Sequence, residues 1–147
     1  ALAPDGLMLE LRAQATCDTK PTAVIEVRAL SGGACPCDKV ACPATSGCQI
    51  TIDPKTAIGQ VVLSGESSFA ETYDFDQEGK CVKKGTAPVQ QYNWTLEPSN
   101  DAAAVLTPNG ATATLTIGMI SPHIVRLEVV NAQGIKSTKA VYSVTGK

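Results

Sequence analysis

The sequence predicts an all-β fold, an antiparallel two-sheet sandwich. Three observations lead there. Nearly every ordered-looking segment alternates apolar and polar residues with a period of two. Clusters of Gly, Pro, Asn, Asp and Ser punctuate those segments at regular intervals. No stretch holds a helical period over three turns, and only 102–104 and 67–72 suit a short helical turn.

Taken in order, Leu7, Leu9, Leu11 and Ala13 alternate with Met8, Glu10, Arg12 and Gln14. Ile25 and Val27 alternate with Val24, Glu26 and Arg28, and Ile50 and Ile52 with Gln49, Thr51 and Asp53. Tyr92, Trp94 and Leu96 alternate with Gln91, Asn93 and Thr95. Ala113, Leu115 and Ile117 alternate with Thr112, Thr114 and Thr116, and Val125, Leu127 and Val129 with Arg126 and Glu128. Ala140, Tyr142 and Val144 close the series. Each pattern gives a strand one apolar face for a core and one polar face for water. The expected turns are Ser31-Gly32-Gly33, Asp53-Pro54, Pro108-Asn109-Gly110, Ser121-Pro122 and Asn131-Ala132-Gln133-Gly134. Two stretches break the rhythm, 31–47 and 69–88, and both read as insertions too long for hairpin loops. The expected organisation is an arm or strand at 1–15, then one sandwich domain over 16–147.

Composition narrows the function. The chain has 147 residues, of which 44% are hydrophobic, enough for one core but cramped for two. Charged residues are 18%, below the roughly 25% of an average soluble chain. The net charge of −2 argues against a nucleic-acid binder held by phosphate contacts, which needs basic stripes. No apolar run is long enough to span a bilayer as a helix. The single histidine, His123, leaves little material for imidazole catalysis. It stands beside Pro122 at an expected turn and reads as an ordinary surface or edge residue. No G-x-S-x-G elbow accompanies it. No catalytic residue is assigned, and the chain is not expected to be an enzyme.

Six cysteines are present: Cys17, Cys35, Cys37, Cys42, Cys48 and Cys81. Four of them fall in a C-x-C-x4-C-x5-C cluster. A four-thiolate zinc site would more commonly use paired C-x2-C knuckles, and none occurs. A disulfide framework is therefore expected. Cys35 and Cys37 cannot easily bridge each other, so each should pair with Cys42 or Cys48. Cys17 and Cys81 remain as a long-range staple, worth about 3–5 kcal/mol through restriction of the unfolded chain. Such bridges, and an opening at Ala1 without Met, fit a secreted or cell-surface chain freed of a signal peptide.

Other candidates are local. Asp74, Asp76 and Glu78 begin like a calcium loop, D-x-D-x-E-G, although the twelfth position is Gly85 instead of a bidentate Glu. Calcium is the cofactor these residues suggest, and no other is expected. Asn93-Trp94-Thr95 is a glycosylation sequon whose Asn93 should point outward. Phe69, Tyr73 and Phe75 suit either a sugar-stacking surface or a small cluster packed under a loop, the latter being the default. The alternating Leu7, Leu9, Leu11 and Ala13 suit an extra strand, or one donated to a neighbouring subunit.

Three motifs are similar to the PKD-type branch of immunoglobulin-like sandwiches. Gln60-Val61-Val62-Leu63-Ser64-Gly65-Glu66-Ser67-Ser68 resembles the family's V-x-L-x-G-x-x-S strand and turn. Tyr92-Asn93-Trp94 resembles its Y-x-W strand. The stretch from Val125 to Gly134, followed by Ser137, resembles its V-x-L-x-V-x-N-x-x-G-x-x-S hairpin. The resemblance covers roughly 22–144. The chain departs from it at Glu97-Pro98-Ser99-Asn100, where the family often has Gly-Asp-Gly, and at Pro122-His123-Ile124, where it often has Gly-x-Tyr. The resemblance implies an extracellular and mostly non-enzymatic module. The function expected is a structural or adhesive subunit of a filament, pilus-like fibre or adhesin, as a homo-oligomer or with other surface subunits. The alternative is a carbohydrate- or protein-binding accessory module of a larger secreted enzyme.

Overall fold

The computed structural model describes residues 20–30 and 48–146. The expectations for Leu7, Leu9, Leu11 and Ala13, for Cys17, Cys35, Cys37 and Cys42, and for the insertion at 31–47 lie outside the described residues, as does the side chain of Cys48. The described residues form ten strands and no helix. They are β1 (Glu26–Leu30), β2 (Cys48–Ile50), β3 (Gly59–Ser64), β4 (Ala70–Phe75), β5 (Cys81–Ala87), β6 (Gln91–Leu96), β7 (Val105–Asn109), β8 (Thr112–Ile117), β9 (His123–Val130) and β10 (Ala140–Gly146).

Two four-stranded sheets carry the fold, in the orders β1-β3-β8-β7 and β2-β10-β9-β6. All pairings are antiparallel except β2 with β10, which is parallel. The strands that alternate most cleanly in sequence lie inside the sheets. β8 buries Ala113, Leu115 and Ile117, and β9 buries Val125, Leu127 and Val129. Val61 and Leu63 of β3 join the first set, while Ile50, Trp94, Tyr142 and Val144 join the second. These residues make one continuous hydrophobic cluster between the two sheets, which is the arrangement of a β-sandwich.

Trp94 closes one region of this core. It is 7% exposed, and its indole N–H donates to the carbonyl of Gly110 at 3.0 Å. Burying an indole ring is favourable only when that N–H finds an acceptor. Gly65, at the end of β3, comes so near that an added Cβ would stand 2.7 Å from Leu127 Cδ2 and 3.3 Å from Trp94. The turn between β9 and β10 has Gly134 at φ 85°, in the left-handed region that glycine enters without strain. Asn131 shapes that turn by accepting the amides of Gln133 and Ile135 on Oδ1.

Three expectations need correction. The stretch 69–88 is not an irregular loop: β4 and β5 form a two-stranded hairpin, with a bulge between Thr72 and Tyr73. The apolar alternation used to find strands arises from one buried face, and both faces of β5 are largely exposed. Residues 67–72 accordingly make no helical turn but lead into β4. β7 also escaped notice, because Val105 is exposed and Pro108 reads as a breaker. On an edge strand a proline costs no interior ladder bond. At 102–104 the chain does turn, with the Ala104 amide donating to the Asp101 carbonyl at 3.2 Å.

Leu127 is fully buried on a strand flanked by β6 and β10. Leu127→Ala should cost about 2–5 kcal/mol, through lost transfer energy and a cavity. Urea unfolding of the two oxidised proteins measures this directly.

Candidate functional site

His123 is not at the surface. It opens β9 with its side chain fully buried, facing Asp101, whose side chain is also almost wholly enclosed. Nε2 lies 2.8 Å from Asp101 Oδ2. That same oxygen accepts the amides of Gly118 at 2.7 Å and Met119 at 3.0 Å. Oδ1 accepts the amide of Ala103 at 2.9 Å. One carboxylate thus ties the 97–104 connection to the β8–β9 connection and to the start of β9. Burial pushes the Asp101 carboxyl up, but the Gly118 and Ala103 amides and His123 outweigh it and hold it below the ordinary value of 3.8. The arrangement resembles two members of a catalytic triad only in residue type. Imidazole and carboxylate are sealed from solvent, and Nδ1 of His123 has no hydrogen-bond partner. It is a clasp that fixes three segments.

Asp101 escaped the sequence reading. The available signal was local: Asp is suited to accepting an amide two residues on, and Asp101-Ala102-Ala103 sits between strand-like runs. What no pattern announces is the long-range partnership with His123, 22 positions away.

A solvent-accessible concavity lies where the β4–β5 hairpin meets the β9–β10 turn. It is a groove of about 350 Å³, with Glu71, Tyr73, Pro88, Gln90 and Gln133 among its walls. Tyr73 is half-buried, and its hydroxyl donates to Glu71 Oε1 at 3.1 Å. Lys83, opposite Tyr73 in the hairpin register, approaches Glu71 Oε2 at 2.7 Å. The Lys83 and Tyr73 hydrogen bonds draw the Glu71 carboxyl below its ordinary value, and Glu71 raises Lys83. The result is an ordered aromatic, carboxylate and ammonium set, flanked by exposed amide side chains. Such a surface offers one ring face and several directed hydrogen-bonding groups.

Of the three expected aromatics, Phe69 and Tyr73 are half-buried, while Phe75 is 42% exposed near the hairpin tip. The default of a cluster packed under a loop therefore fails for Phe75, since the segment is itself a hairpin with open faces. The acidic run serves the hairpin. Asp74 pairs with Lys84 at 3.1 Å, and Asp76 Oδ1 accepts the amides of Glu78 and Lys80 in the turn. Among the described residues, no three His, Cys, Asp or Glu side chains come together as a metal set. Asp74, Asp76 and Glu78 are not brought together as calcium ligands. Asn93 is half-buried on β6, accepting from Gln91 at 2.9 Å and donating to Glu128 at 3.3 Å. Cys81 is disulfide-bonded at the start of β5, and the expectation for its partner falls outside the described residues.

No family model, curated protein or solved structure matches this chain.

The Asp101 clasp has a pH signature. A carboxyl held below its unfolded value stabilises the fold above that unfolded value and loses the contribution as pH falls through the folded one. Stability measured by urea unfolding should therefore drop as the pH falls through and below the ordinary carboxyl value of 3.8. Asp101→Asn should be less stable at neutral pH and lose less on acidification. An equal acid loss in both proteins would remove Asp101 from the account.

Proposed function

We propose that this chain is an extracellular β-sandwich of the immunoglobulin-like, PKD-type class, and that it works by contact as a structural or adhesive subunit of a cell-surface assembly. Strand order supports the class. One sheet runs β1-β3-β8-β7 and the other β10-β9-β6, the pattern of A-B-E-D facing G-F-C. In that correspondence β2 is an extra segment switched to the second sheet, parallel to β10.

The observation that carries the functional reading is the β4–β5 hairpin. Its two strands pair only with each other among the described residues, and they contribute little to the common core. It keeps Phe75 and Val82 at 42% and 48% exposure. Chain invested in such a hairpin, cross-braced by Lys83–Glu71 and Lys84–Asp74, serves an outward purpose. The sole histidine is enclosed and does no accessible chemistry. Among the described residues β1 and β7 stand at sheet edges, and such edges offer ladder positions for partner strands.

A second reading is favoured by the groove beside Tyr73: a glycan- or protein-binding module of a larger secreted enzyme. An aromatic face with directed polar groups is suited to a polar ligand with an apolar face.

Light scattering on the natively purified, oxidised chain separates the two. The assembly reading expects species well above the 15.2 kDa monomer. A strict monomer on concentration contradicts it. In that case glycan and protein ligands should bind, and Tyr73→Ala should weaken binding about tenfold or more, as loss of a buried aromatic anchor does.

A further inference from the structure

A second concavity, beside β1 and the end of β3, surrounds a carboxylate that no described cation pairs with. Glu26 opens the edge strand β1 and is only 5% exposed. Its register partner is Ser64 of β3, so the two side chains share a face. Among the described residues its carboxylate accepts a side-chain hydrogen bond from Ser67 Oγ to Oε1 at 2.6 Å. No cation pairs with it among the described residues. A groove of about 260 Å³ opens against it, walled also by Val27, Arg28, Ser64, Glu66 and Ser67.

Among the described residues the charges there do not balance. Arg28 reaches Glu66 at 3.4 Å, with both side chains more than half exposed. Ser64 Oγ also donates to that Glu66 oxygen, at 3.2 Å. The one guanidinium of the groove thus pairs with the exposed carboxylate, and no described cation pairs with the buried one. A carboxylate removed from water requires hydrogen-bond donors, and positive charge satisfies it best.

We propose that this groove is a recognition site for an organic cation, and specifically for the arginine side chain of a partner polypeptide. The chemistry favours guanidinium. Its planar fork can donate to Glu26 while other N–H groups reach the hydroxyl oxygens of Ser64 and Ser67. Val27 offers an apolar wall for the methylene stem, which a bare metal ion would not use. In naming a polypeptide as the source, the inference rests on the contact function above. It places one contact point of that function at the exposed end of the first sheet.

The test uses the oxidised full chain, labelled for amide NMR, and two small probes: N-acetyl-arginine N-methylamide and its uncharged citrulline analogue. The arginine probe should give saturable shifts at the amides of Glu26, Arg28 and Ser67. The citrulline probe should give none that saturate. Glu26→Gln, which keeps the shape and removes the charge, should weaken the arginine probe about tenfold or more, as expected for a charge-assisted contact. Equal binding of both probes would overturn the proposal, as would shifts confined to other surfaces or arginine binding unchanged in Glu26→Gln. Saturation of the same amides by calcium chloride with no response to arginine would also overturn it. The wild-type comparison of probes stands even if the variant folds poorly. Probe binding by a chain that stays monomeric would leave the site standing and remove the assembly reading. An assembling chain that ignores the arginine probe would do the reverse.

Discussion

Burial of one face from each interior strand of the two sheets into a single shared space is the constraint on which this molecule depends. β8 and β9 contribute three fully or nearly fully buried aliphatic side chains each, from opposite sheets. Neither sheet could keep those faces dry alone, because a sheet with one exposed apolar face has nothing to bury it against. The period-two alternation makes the commitment strict, since a slip of one residue would turn each strand's apolar set outward. Among the described residues Trp94 and Tyr142 are the buried rings of the continuous cluster, Tyr92 packs against it, and aliphatic side chains fill the rest.

The remaining structure arranges itself around that core. The Asp101 carboxylate gathers donors from Ala103, Gly118, Met119 and His123 where loops would otherwise leave buried amides unpaired. The β4–β5 hairpin has no comparable hydrophobic anchor. An isolated two-stranded ribbon is marginal in water, and here cross-strand ion pairs brace it. The sandwich thus concentrates its buried contacts between the sheets, and the Tyr73 groove, the open hairpin faces and the Glu26 niche lie at its periphery.

The parts legible in the sequence are those that face the core. β6, β8, β9 and β10 match the alternating segments closely, and Gly134 adopts the positive φ its turn requires. β3 was visible through its likeness to a known strand and turn. The hairpin was not, because solvent on both faces erases the apolar alternation. His123 was misplaced because proximity to a proline suggested a turn, whereas its surroundings are set by Asp101, far away in sequence. Glu71, Lys83 and Glu26 carried no motif. Their significance comes from register and burial, which place Lys83 opposite Tyr73 and close Glu26 beneath Ser67. Sites built from distant residues on exposed strands leave little trace in one sequence, whereas a packed strand repeats its environment every second residue.

Native-state hydrogen exchange of the oxidised chain, resolved by residue, tests the central claim that sandwich and hairpin are separable layers of stability. Interior amides of β3, β8, β9 and β10 should exchange together, only through global unfolding. Amides of β4 and β5 should exchange much faster, by local opening that leaves the core protected. Hairpin amides as slow as those of β9 would contradict it, because the hairpin would then belong to the same cooperative unit as the core.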